Sequence, residues 1–188
     1  MKPYPYILLM KAGPYCGYTL DEIIDIKQKE EDVVGKFYWG YSGVFCRPNV
    51  IKNFLSHAIQ NNKKIKVLFS ETKSSFNTEN PDRFEKYSTD ESKWNNLDKN
   101  VLLVGNREKR HFAVTGRNLK KENIKLDISQ YCTLMGIFPN TNQYLDTYFK
   151  YRVDKACGYY LPRKDVKEKI IEVQYTCDLV EPYCLYIR

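Results

Sequence analysis

The chain has 188 residues, 43% of them hydrophobic and 28% charged, and a formal net charge of +7. That length suits one compact domain with its own core, and the composition excludes a disordered chain. No apolar run approaches the ~20 residues of a membrane span, and the first ten residues lack the apolar length and small-residue cleavage site of a signal peptide, so a soluble cytoplasmic protein is expected.

Tyr6 to Met10 reads as a first, buried strand, followed by turn chemistry at Gly13-Pro14-Tyr15-Cys16-Gly17. Thr19-Leu20-Asp21-Glu22 is a capping-box pattern and predicts a helix to about Glu31 that buries Leu20, Ile23 and Ile24. Gly35 ends that region. Lys36 to Tyr41 then reads as a strand with Phe37 and Trp39 on one side and Tyr38 on the other. After Pro48-Asn49, the spacing of Val50, Ile51, Phe54, Leu55, Ala58 and Ile59 predicts a second helix, and Ile65 to Phe69 a second strand.

Residues 71–100 turn polar and acidic, with Phe76, Phe84, Tyr87 and Trp94 isolated among them. A structureless stretch that long is uncommon inside a domain, so it reads as an insertion with short helices or as a mobile loop. Val101–Val104, His111–Thr115 and Ile124–Ile128 follow as short strands, with Gly105-Asn106 and Gly116-Arg117-Asn118 as turns. Tyr131 to Phe138 suggests a further strand. A third helix is expected from Asn140 or Thr141, with Lys150, Arg152 and Lys155 in its last turns and Gly158 just past its end. Two closing strands, Lys169–Cys177 and Tyr183–Ile187, complete a single α+β domain: a mostly antiparallel mixed sheet with about three helices.

Six cysteines (16, 46, 132, 157, 177 and 184) show no Cys-x-x-Cys spacing and stand beside only two histidines. In a reducing compartment they read as free structural thiols, and neither a metal nor a cofactor is expected. There is no glycine-rich phosphate loop.

Charge is unevenly distributed. Residues 21–32 carry a net −4, residues 107–125 a net +5 and residues 150–169 a net +4. Basic turns at Lys109, Arg110, Arg117, Lys120 and Lys121, together with Lys150 and Lys155, have the composition to track phosphates. The densest aromatic stretch, Lys36 to Pro48, adds Tyr38, Tyr41 and Arg47 as a candidate base-stacking set, with Phe37, Trp39 and Phe45 as a core set.

Three functional readings follow. The first is a non-catalytic protein that engages RNA, DNA or a nucleoprotein complex through basic turns and exposed tyrosines; inhibition of a nucleic-acid-guided enzyme is one role such a protein could fill. The second is a protein–protein module that uses its acidic first helix. The third is a small enzyme acting on nucleotides with Cys46, His57 and His111, because a thiol at a helix entrance beside arginine favours its thiolate.

Overall fold

The computed structural model describes residues 3–43, 45–73, 81–133, 143–148 and 154–188. The expected strand beyond Thr133, most of the expected third helix and Lys150 lie outside them. In chain order the elements are β1 (Tyr6–Ala12), α1 (Leu20–Val34), β2 (Phe37–Ser42), α2 (Pro48–Gln60), β3 (Ile65–Glu71), β4 (Asp82–Arg83), β5 (Lys86–Ser88), β6 (Asn95–Asn96), β7 (Val104–Gly105), β8 (His111–Asp127), β9 (Tyr131–Cys132), α3 (Leu145–Tyr148), β10 (Lys155–Tyr160) and β11 (Ile170–Ile187).

The main sheet runs β2-β8-β11-β3-β1-β10-β9, with β5 and β6 added beside the end of β11. Only β1 and β3 pair in parallel among the described strands. The fold is therefore α+β with a mostly antiparallel mixed sheet.

Helix α1 begins as its sequence dictates. The Glu22 N–H donates to the Thr19 hydroxyl and the Glu22 carboxylate accepts from the Thr19 N–H, closing a full capping box. Gly35 ends the helix in the left-handed region at φ 78°, where a side chain would be strained. Leu20 and Ile24 are buried as expected, but Ile23 is only half-buried, and Lys27 and Glu30 are buried with them. Helix α2 starts on Pro48 and buries Ile51, Phe54 and Ala58. Full burial of Ile51 and Phe54 contributes roughly 1.5–3 kcal/mol each.

The core has three parts. The largest packs α1 and α2 against one face of the sheet, through Leu8, Met10, Phe37, Val67 and Phe69. A second joins Ile7, Leu9 and Leu68 to Tyr131 and Leu145. The third buries Tyr38, Ala113, Leu185 and Ile187 under Phe84, Val101 and Leu103. In the described part of 71–100, where short helices or a mobile loop were the two expectations, residues 81–100 carry the short strands β4, β5 and β6, and Phe84 with Val101 and Leu103 covers part of the sheet.

The three expected short strands after residue 100 are arranged differently. His111 to Asp127 is one 17-residue strand, and Ile170 to Ile187 is one 18-residue strand paired with it. Gly116-Arg117-Asn118 is thus strand, not turn. A Cβ at Gly116 would lie 2.3 Å from the Phe37 ring and 2.9 Å from the Cys177 Sγ, so glycine is required there by packing. Gly158 lies inside β10, where a Cβ would meet Leu145 Cδ1 at 2.9 Å, and not past a helix end. Lys155 opens the same strand instead of closing a helix. All six cysteines are free thiols, as expected.

Candidate functional site

Two clefts share one wall residue, His111. The first is basic and aromatic. It encloses about 300 Å³ where β8 begins and β11 ends, and its wall includes Trp94, Arg107, Lys109, Arg110, Tyr186 and Arg188. The Arg188 guanidinium sits 4.0 Å from the Trp94 ring centre, and that of Arg110 sits 5.5 Å from the Tyr186 ring centre. Such pairs are held by the attraction of a cation to the face of a ring. Arg110 is also ion-paired with Glu91, and Arg107 donates to the Arg83 carbonyl. Burial and Glu91 push the Tyr186 phenol up, against the pull of Arg110 and Arg47. Arg47 is exposed at the entrance to α2.

The second cleft is narrower and more apolar, about 160 Å³, between α1, the 13–18 turn and β2. Trp39, Gly40, Tyr41 and Ser42 form one side; Ile23, Ile26 and Lys27 form another; Lys155 lies at one end. Trp39 is half-buried against Phe69, with ring centres 4.5 Å apart, so it belongs to the core edge and to the cleft together.

The candidate contact set divides sharply. Lys109 and Arg110 are exposed and line the basic cleft, whereas Arg47 is exposed at the entrance to α2 and outside that lining. Tyr38 and Tyr41 do not form an exposed platform: they retain 6% and 9% of their accessible surface. Tyr38 is covered by the 81–103 segment, and burial raises its phenol to about 12. Tyr41 donates its hydroxyl to the Cys46 carbonyl at 2.5 Å and sits 3.1 Å from Cys184 Sγ; burial drives its phenol well above the ordinary range. Lys155 is also buried, donating to Asp154 at 2.6 Å and to the Ser42 carbonyl at 3.1 Å. Arg117, Lys120 and Lys121 are exposed on the middle of β8, away from the clefts. Arg117 donates to the Gly35 carbonyl, Lys120 pairs with Glu122, and Lys121 lies over Tyr175.

Nor does the fold assemble the thiol–histidine set. Cys46 is buried with its Sγ 4.0 Å from Cys157 Sγ, whose own thiol is raised by that contact and by burial. His57 shares a hydrogen bond with the Tyr6 hydroxyl at 2.8 Å, while His111 packs on Phe84. No hydrogen bond joins Cys46 to either histidine among the described residues. His111 has its Nε2 buried without a partner there, and burial lowers its pKa.

The acidic helix is also more internal than its composition implies. The Glu30 carboxylate is buried and accepts from Lys27 Nζ, the Tyr38 N–H and the Leu102 N–H. Glu31 accepts from the Asn118 and Leu119 N–H groups, and Asp21 from the Tyr175 hydroxyl.

Several cleft residues escaped the sequence reading, namely Trp94, Tyr186, Arg188 and Lys27, whereas Gly40 was legible there as a glycine that lets a ligand approach the backbone. The i,i+3 spacing of Lys27 and Glu30 was one visible signal of a paired burial. The others depend on segments brought together from opposite ends of the chain. No protein-family model, curated protein or solved structure matches the chain. No helix among the described residues is long and apolar enough to cross a membrane.

Proposed function

We propose that this protein binds single-stranded nucleic acid in the basic cleft between the start of β8 and the end of β11. The observation that carries the reading is the convergence of Arg107, Lys109, Arg110 and Arg188 with Trp94 and Tyr186 around one opening. Only Glu91 and Glu108 offset those cations in the cleft wall. Guanidinium–ring pairs offer flat faces on which a base can stack, and lysine supplies phosphate contact. Duplex recognition would need an element sized for a groove, whereas this opening is a short pocket.

The test is a salt series with a fluorescein-labelled single-stranded oligonucleotide, read by anisotropy. Three phosphate contacts on a single strand weaken affinity about 20-fold between 50 and 200 mM salt. The Lys109→Glu, Arg110→Glu double variant is expected to abolish binding. A Lys120→Glu, Lys121→Glu control, roughly 30 Å along the strand, is expected to keep most of it. Salt-independent binding, or equal loss in both variants, overturns the reading.

A further inference from the structure

The narrower cleft has a recognition element of its own on the edge of the sheet. Among the described strands, β2 is the outermost and pairs only with β8. In an antiparallel pair, alternate residues turn both backbone groups outward. The Tyr38 N–H donates to Glu30 and the Ser42 carbonyl accepts from Lys155, so Tyr38, Gly40 and Ser42 are the outward set.

Gly40 lies between these two closed positions. Its N–H and C=O face the same free edge, and they take no partner among the described residues. Trp39 and Tyr41 flank it, and all three line the 160 Å³ cleft. Gly40 is exposed, so its backbone is approachable from the cleft, and a Cβ there would press on Leu103 Cδ2 at 3.2 Å.

A peptide adding as a strand needs several consecutive outward residues. Here Glu30 occupies the one before Gly40 and Lys155 the one after, so strand addition is blocked. One donor beside one acceptor matches instead a single planar heterocycle. The size agrees: a cavity of roughly 150 Å³ admits benzene, and this cleft opens outward, leaving room for a substituent beyond the ring.

We infer that the Gly40 cleft binds a nucleobase, presented by a free nucleoside. The base lies between the Trp39 side and the Ile23–Ile26 side of the cleft, and its donor–acceptor edge pairs with the Gly40 backbone. Lys155, held by Asp154 and Ser42, closes one end. This site does not depend on strand binding in the basic cleft, because a nucleoside carries no phosphate for that cleft to hold.

Trp39 and Trp94 are the two tryptophans of the chain, so a Trp94→Phe protein reports on Trp39 alone. Adenosine, guanosine, cytidine and uridine are titrated separately while Trp39 fluorescence is followed. At least one is expected to quench saturably below millimolar concentration. Its analogue with every hydrogen on the donor nitrogen replaced by methyl is expected to bind at least tenfold more weakly, since one hydrogen bond is lost and the carbonyl is left unmet. Gly40→Pro deletes the outward N–H without touching the ladder to β8, as an edge strand allows, but its Cβ presses on Leu103 Cδ2 at 3.2 Å. Gly40→Ala keeps the N–H and adds the same Cβ, so Gly40→Pro is expected to weaken binding further than Gly40→Ala by the lost bond, and circular dichroism checks that both keep the fold. Because the methylated analogues need no altered fold, they decide the matter if either variant is unstable. Absence of saturable quenching by all four nucleosides overturns the inference. So does equal binding of parent and methylated base, or binding seen only with an oligonucleotide.

Discussion

Glu30 concentrates three roles in one buried carboxylate. It neutralises Lys27, whose ammonium also donates to the Leu102 carbonyl at 2.7 Å, and it accepts two backbone N–H groups from different elements. Burial lowers the pKa of Lys27, against the pull of Glu30. Removing one partner of a buried pair leaves an uncompensated charge, which costs about 3–5 kcal/mol. Glu30→Ala also orphans the Tyr38 and Leu102 N–H groups, so it is expected to reach that range in urea denaturation. Lys27→Met leaves Glu30 with two backbone donors and is expected to cost less, about 1–3 kcal/mol. Equal losses for the two variants would show that the backbone contacts contribute little.

At the level of elements, the long strands explain what the sequence conceals. Helices α1 and α2 were legible because their signals are local: a capping box, a left-handed glycine, a proline start and a 3.6-residue apolar period. β8 reads as fragments because its alternation breaks where Asn118 adopts φ 60° and its N–H turns to Glu31. β11 reads as two strands for the same reason, with its pairing shifted between Leu179 and Cys184. Gly116 resembles a turn glycine and Gly158 a helix stop, because the atoms that exclude a side chain, in Phe37 and Leu145, are far away in sequence. Tyr38 resembles a surface residue until the 81–103 segment is folded over it. By contrast, Lys109 and Arg110 were legible as candidates, since an isolated basic turn is visible without tertiary knowledge. Gly116→Ala must displace the Phe37 ring or Cys177. It is expected to lower stability by about 1–3 kcal/mol, the usual cost of overpacking, as measured by the urea midpoint. Gly35→Ala, strained only by its φ of 78°, is expected to cost about 1–2 kcal/mol.

For the molecule as a whole, acid should act in two stages. The Asp178 carboxyl would be raised by burial, but hydrogen bonds from Asn118 and Lys66 hold it below the ordinary range; the Lys169 and Ser129 N–H groups do the same for Asp127. Glu122 is lowered by Lys120. A carboxylate with a depressed folded pKa stabilises fully above its unfolded value, near 4, and loses that contribution as pH falls through the folded one. His111 behaves likewise at higher pH. Burial depresses its pKa, so the unfolded chain takes up the proton first, below about 6.5, and stability declines from there downward. Urea midpoints are therefore expected to fall modestly from pH 7 to 5 and steeply below 4. His111→Asn is expected to flatten the upper part and leave the lower part intact.

The place of β11 in the sheet also sets a schedule. It is the strand that joins β8 to β3, yet it follows both in the chain. Until it is made, β3 and β8 each present a long row of unsatisfied backbone groups, the template for pairing with another chain. A ribosome that has translated β3 and β8 but not yet β11 therefore carries two adhesive edges that β11 later seals. The sheet closes only after β11 emerges, which makes a shielding chaperone most useful in the interval between the synthesis of β8 and that of β11.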